Sequence, residues 1–338
     1  MINLVASQLQ GLQLKNLLNM RLKQAVLIIT YILLPFITLA QPKNKPAFRL
    51  VPLGVLGGID ESNLSAYMLA AAGTNQYICL DAGTLHYGIQ KAIVNKAFQV
   101  PGDRVLRQYI KGYFISHAHL DHIAGLIINS PEDSSKNIYG LQGTIETIKT
   151  HYFTWASWAN FADQGETPAL KKYRYQVLSP GSETDIENTA LKVQAFPLSH
   201  SNLTSTAFLV QSNNDYVLYL GDTGSDTVEK STNLQNLWQA IAPLIKNKKL
   251  KAILIEVSFP NEQPDKTLFG HLTPHWFMTE MDKLATLTSP AELKGLNIVV
   301  THLKPPANSI TRIKAQLKAA NQLRLNLIYP VQGKALNF

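Results

Sequence analysis

The run His117-Ala-His119-Leu-Asp121-His122 places three imidazoles and a carboxylate within six residues. It follows the apolar stretch YFIS and precedes IAGLII, so it reads as a strand-to-helix turn whose side chains share one small volume. Histidine nitrogen and aspartate oxygen are zinc donors at about 2.0–2.2 Å, and a catalytic zinc keeps a position open for water. Two neighbouring ions need more donors than this turn holds. Three more stand at matching places: His200 after LKVQAFPL, Asp222 after YVLYLG, and His302 after LNIVVT, each just past an apolar strand. A lone histidine in such a place is more often a structural hydrogen-bonder. Three donors at equivalent strand ends, added to the six-residue cluster, point instead to a binuclear centre. The expected grouping is His117, His119 and His200 for one ion, and Asp121, His122 and His302 for the other. Asp222 would bridge them.

Other residues carry weaker signals. Asp81 follows the strand YICL and is either a carboxylate that orients a ligating histidine or a turn residue before Gly83. Trp155, Trp158 and Phe161 recur at three-residue spacing, as an aromatic lid over a flat ligand or as core. Asn63 and Ser65 are candidates for contact with a substrate anion. His86, His151 and His275 lack a comparable context and read as surface, lid or helix-start residues.

The elements that must position these donors are short apolar strands interleaved with helical segments. Strands are expected at Phe48–Val55, Leu64–Ala71, Tyr77–Leu80 and Gly112–Ser116. Further ones are expected at Leu191–Pro197, Thr206–Gln211, Tyr216–Leu220, Ala252–Val257, Asn297–Thr301 and Leu325–Tyr329. Leu234, Leu237, Trp238, Ile241 and Leu244 fall at helical spacing, and a further helix is expected over Ile310–Leu323. Hairpins followed by strand–helix units, twice over, indicate an α/β fold of two mixed sheets with helices outside, an αββα sandwich. Residues 47–338 show no composition break and read as one domain.

The chain has 338 residues, 46% hydrophobic and 16% charged, with a formal charge of +8. Lys15, Arg21 and Lys23 sit in the first forty residues without an acid, which leaves 28 bases against 23 acids and a mild +5 for the remainder. That balance suits an anionic small molecule and requires no nucleic-acid partner. Arg21 and Lys23 precede the apolar run AVLIITYILLPFITLA (25–40), which ends in small residues. This is the order of a secretory signal peptide over residues 1–40, with Met20 an alternative start. The run is shorter than the roughly 20 residues of a membrane span and is broken by Pro35. An exported, periplasmic or secreted chain without a stable membrane anchor is expected, retention of the leader being the alternative. A Pro-rich linker, QPKNKP (41–46), follows. The single cysteine, Cys79, reads as a buried inert thiol.

The pattern H-x-H-x-D-H with later His, Asp and His resembles the signature of the metallo-β-lactamase superfamily. The longer run HAHLDHIAGLIINSP (117–131) resembles that of class II cyclic-nucleotide phosphodiesterases. GGIDESNLSAYML (57–69), LDAGTLHYGI (80–89), HYFTWASWANF (151–161), GDTG (221–224) and SFPNEQPDKTLFGHLTP (258–274) are similar to segments of the same family. Ala159 departs from the proline expected after Trp158, a difference that bears on the lid and not on the metals.

This resemblance implies a metallo-β-lactamase fold, two zinc ions (manganese or iron would suit the same donors) and a cyclic nucleotide, cyclic AMP foremost, as substrate. The ions would share a water that attacks the cyclic phosphate, with loss of the 3′ oxygen and release of the nucleoside 5′-monophosphate. Asp121 would belong to the catalytic set as a donor. The departing alkoxide needs a proton, and His271 in FGHLTP, paired with Glu256 at the end of AILIEV, resembles the Glu–His relay of the superfamily's transfer-RNA-processing nucleases. The alternative reading is that Glu256 and His271 only order a loop. A nuclease acting on RNA ends and a non-catalytic metal or nucleotide binder are the rival functions. The first is disfavoured because no long basic arm is present. The second is disfavoured because every donor and the acid pair are present.

Overall fold

The structure, a computed structural model, describes residues 2–32 and 45–338. Residues 1–45 and 46–338 are separate compact units. In the first, Ile2–Ile32 form one helix. No helix among the described residues is long and apolar enough to cross a membrane. The end of the leader and most of the linker lie outside the described residues.

The second unit is built from two sheets. The first takes β1 (Phe48–Gly54), β2 (Ala66–Ala71), β3 (Tyr77–Leu80), β4 (Ile110–Phe114), β5 (Lys136–Gly140) and β6 (Tyr173–Val177). The second takes β7 (Glu183–Asp185), β8 (Leu191–His200), β9 (Leu203–Ser212), β10 (Asp215–Leu220), β11 (Leu250–Glu256), β12 (Asn297–Thr301) and β13 (Asn326–Ile328). The carboxyl-terminal β14 (Leu336–Asn337) returns to pair antiparallel with β1 in the first sheet. Both sheets open in antiparallel hairpins and continue in parallel steps, β3 to β6 and β10 to β13. Parallel neighbours require crossovers, and here helices supply most of them.

Strand alternation explains why nearly every strand is apolar on both faces. In β1, Phe48 and Leu50 enter the layer between the sheets, where they join Tyr67, Phe114, Phe208, Tyr219 and Leu254. Val51 and Leu53 face outward, onto a second layer with Ile89, Ile123 and Leu126 from the covering helices. A third layer packs Leu234, Leu237, Trp238, Ile241, Phe277, Met281 and Leu317 on the outer face of the second sheet. This is the expected αββα sandwich. Helix Asn233–Lys246 carries the periodic leucines, and Ala307–Ala320 lies three residues upstream of the expected Ile310–Leu323.

Boundary differences have local causes. The second strand begins at Ala66, not Leu64, because Leu64 leaves the ladder to bridge Leu56 while Gly54 packs against its carbonyl. β5 (KNIYG), β6 (YRYQV), β7 (ETD) and the two-residue β14 escape the sequence reading because each is short and carries charged or polar positions that erase the apolar run.

Candidate metal centre and active site

The donors singled out from the sequence all lie at the carboxyl ends of strands, the edge where open sheets gather their sites. His117 follows β4, His200 closes β8, Asp222 follows β10 and His302 follows β12. His119 precedes helix Leu120–Asn129, and Asp121 lies in its first turn, where the helix dipole favours a carboxylate.

Two groups of donor atoms hold the seven expected donors, His117 with His119 and His200, and Asp121 with His122, Asp222 and His302; two further groups bring in His271, with His200 and Asp222 and with Glu256 and His302. In the first, His119 Nδ1 is 3.0 Å from His117 Nε2 and 3.3 Å from His200 Nε2. In the second, His302 Nε2 is 3.1 Å from Asp121 Oδ2 and 3.3 Å from Asp222 Oδ2. Asp222 Oδ2 also lies 3.2 Å from His122 Nε2, 3.8 Å from His117 Nε2 and 3.9 Å from His200 Nε2. One carboxylate oxygen therefore faces both groups.

Hydrogen bonds at the back of the rings aim these nitrogens. His122 Nδ1 donates to Asp81 Oδ2 at 2.7 Å, and His200 Nδ1 to the Gly270 carbonyl at 2.8 Å. His302 Nδ1 meets Ser258 Oγ at 2.9 Å, and His117 Nδ1 meets Ser116 Oγ at 3.1 Å. Each arrangement leaves the Nε2 lone pair pointing into the cluster, as metal-ligating histidines require. Gly270 approaches so closely, at φ +78°, that a Cβ would overlap the Ser201 backbone nitrogen. A Cβ on Gly57 would overlap the His302 ring. Asp81 and His302 both adopt left-handed φ, +53° and +54°, a strained state retained here at the two residues that fix the second group.

The donor set suits a divalent cation. His122 Nε2 is buried and makes no hydrogen bond, although Asp222 Oδ2 is nearby. Burial pushes the His122 imidazole down, but Asp222, Asp81 and Asp121 outweigh it and hold it well above its ordinary value. Burial likewise opposes ionisation of Asp222, yet His122 and His302 keep it well below the usual carboxylate range. Burial pushes His200 down to about 4 and also lowers His117. The carboxylates around His122 thus favour positive charge at a place where a metal ion would supply it instead. Beside His117 and His119 a cavity of about 250 Å³ opens between Thr144, Thr147, Leu203 and Thr204.

Glu256, fully buried at the end of β11, accepts from His271 Nδ1 at 2.8 Å, from Thr223 N at 3.0 Å and from Ser258 Oγ. The His271 ring stacks on His302 with centroids 5.3 Å apart, and its Nδ1 is 3.8 Å from Asp222 Oδ2. Burial pushes His271 down, but Glu256 and Asp222 prevail and raise it above its ordinary value. An imidazole whose charged form is favoured by two carboxylates therefore stands at the edge of the donor cluster.

Comparison with known proteins agrees with this geometry. The family described as cAMP phosphodiesterases class-II matches residues 48–333. This chain belongs to that family. It is 43% identical over 307 residues to a 3′,5′-cyclic-nucleotide phosphodiesterase of Aliivibrio fischeri, an alignment covering 86% of this chain and 93% of the relative. The crystal structure of unliganded yeast PDE1 superposes with a TM-score of 0.76 at 24% identity, covering 87% of this chain and all of that one. The metallo-β-lactamase fold protein YhfI of Bacillus subtilis superposes with a TM-score of 0.57 at 16% identity, covering 86% and 99%. Both likenesses show the fold.

The three residues read in the sequence as substrate contacts, Asn63, Ser65 and Trp158, each have a protein partner. Asn63 directs its amide oxygen to Val55 N at 3.0 Å, and the buried Ser65 hydroxyl faces the Leu56 carbonyl at 3.5 Å. Both brace the loop whose Gly58 N donates to Asp121 Oδ2 at 3.0 Å, so they support the centre from behind. Trp158 Nε1 donates to Ser130 Oγ, just past the carboxyl end of the helix that begins beside Asp121. At about 1.5 Å per residue, that is more than 10 Å along the axis from Asp121. Phe161 packs on the core with Phe153, while Trp155 is held by Pro168 O. The three aromatics thus have separate partners. His86, His151 and His275 also lie outside it, and Cys79 is buried.

Ser116, Ser258 and Tyr219 carry no sequence signal of their own. Ser258 stands two residues beyond Glu256 and Ser116 directly before His117, so extended alternation from a known strand end is the one clue. Tyr219 and Ser116 both hold the Asp81 carboxylate that orients His122. Asp81→Asn is therefore expected to weaken metal retention by about 10–100-fold, the usual worth of such a partner. Competition with a chelator would show it; unchanged retention would remove Asp81 from this role.

Proposed function

We propose that the protein hydrolyses 3′,5′-cyclic nucleotides, cyclic AMP foremost, to nucleoside 5′-monophosphates at the paired donor groups. The match to class II phosphodiesterases across residues 48–333 carries this reading, with the convergence of seven donors supporting it. His117, His119 and His200 would hold one zinc, Asp121, His122 and His302 the second, and Asp222 both. Bound zinc would supply Lewis acidity toward phosphoryl oxygens and a water nucleophile active near neutral pH.

The chain's own residues do the rest. Asp81, Ser116, Ser258 and Gly270 fix which imidazole nitrogen faces inward. Glu256 holds the Nδ1–H of His271, and Glu256 and Asp222 together favour its charged form, against the Lys304 ammonium. From that state His271 delivers a proton to the departing 3′ oxygen. Because the acid form is the active one, this contribution falls as pH rises through the raised His271 value. The nearby cavity offers room for the nucleoside.

Initial rates on cyclic AMP, cyclic GMP and a transfer-RNA precursor test the assignment. Turnover of the cyclic nucleotides without cleavage of the precursor is expected. Cleavage of the precursor alone would transfer the site to RNA processing. We further propose export, on the strength of the leader from Met20 to Ala40. The mature chain should begin near Gln41 by mass spectrometry, and an intact N-terminus in a cytoplasmic fraction would refute it.

A further inference from the structure

Lys304 belongs to no motif read from the sequence, yet it stands at the open side of the acid pair. It follows His302 by two residues, and its Nζ lies 2.8 Å from His271 Nε2. The same ammonium is 5.1 Å from the centroid of the Phe259 ring. The side chain is half-buried, and among the described residues no carboxylate lies within ion-pair distance of it. Glu256, the nearest anion of the pair, is already held by His271, Thr223 N, Leu272 N and Ser258. Asp121 and Asp222 face the imidazole donors.

A partly buried cation whose side-chain partner is a histidine nitrogen lacks the anion that would offset its lost hydration. The substrate class of the proposed reaction brings one. A cyclic phosphate carries one negative charge over two non-bridging oxygens, and lysine is a compact point charge suited to such an oxygen. We infer that Lys304 is the phosphate-binding cation of the site, gripping a non-bridging phosphoryl oxygen from the His271 side. When no substrate is present it rests on His271 Nε2. Its move to the phosphate uncovers Nε2, the nitrogen that then faces the departing oxygen. The inference rests on the phosphodiester reading for its substrate, but not for the charge it assigns.

The test uses the full mature chain loaded with zinc, and inorganic phosphate as the probe. Lys304→Met should weaken phosphate binding in calorimetry by about 10–100-fold, the usual worth of a hydrogen bond to a charged group. It should lower kcat/KM for cyclic AMP by a similar factor, with metal content unchanged. Lys304→Arg keeps the charge and should recover most of both. Phosphate binding and kcat/KM unchanged in Lys304→Met would overturn the inference. Loss of zinc in Lys304→Met without recovery in Lys304→Arg would also overturn it, by assigning the residue to holding the loop beside His302. The two proposals fail separately. If the parent chain leaves cyclic nucleotides intact while Lys304→Met still weakens phosphate binding, the substrate reading falls and the cation assignment stands.

Discussion

Asp222→Ala is expected to lose metal and activity together. Among the described residues its Oδ2 is the one carboxylate oxygen within 3.9 Å of imidazole nitrogens from both donor groups, those of His117, His122, His200 and His302. His122 and His302 hold this buried group ionised against its burial, so it supplies the negative charge between two cation positions. Alanine would leave the imidazoles facing one another with no anion to share. Activity should then fall by more than the roughly 10²–10³-fold that follows loss of a single transition-state donor, because both positions are affected. Elemental analysis should drop from near two zinc per chain toward none. Asp222→Asn keeps the shape without the charge and should fail in the same way. A variant that keeps its metal and its rate would remove Asp222 from the bridging position.

His271→Ala should instead leave the metals in place and lower kcat for cyclic AMP by about 10²–10⁴-fold, the usual worth of a positioned acid. Its Nδ1 is committed to Glu256 at 2.8 Å, and although it lies near His200 and Asp222 it is not one of the seven expected donors, so its removal should leave the metals in place. A substrate with a better leaving group, such as bis-p-nitrophenyl phosphate, needs little protonation and should lose far less. The wild-type rate should decline as pH rises through the raised His271 value, and that limb should vanish in the variant. Equal losses on both substrates would make His271 a phosphate binder or a shaping residue, and the acid role would fall.

The two effects differ because sequence and structure speak to different parts of the site. The six residues from His117 to His122 were legible because they are contiguous at a strand-to-helix turn. His200, Asp222 and His302 were legible because each follows an unmistakable apolar strand, and the structure brings all of them to one edge. The sandwich was readable for the same reason, since strands apolar on both faces must lie between layers. What escaped depends on where a side chain points. Asn63 and Ser65 sit in a family-like segment, yet their oxygens serve the backbone of the loop under Asp121. Trp158 is in the aromatic run, but a hydrogen bond to Ser130 places it at the far end of a helix. Lys304 is one lysine among many in sequence, and only the approach to His271 singles it out.

Product analysis on cyclic AMP tests the central claim most directly. Zinc-loaded chain should convert cyclic AMP to adenosine 5′-monophosphate as the only nucleotide product. Chelation should stop the conversion, and added zinc should restore it. A fully metal-loaded chain that leaves cyclic AMP intact, or that releases the 3′-monophosphate, would contradict the account.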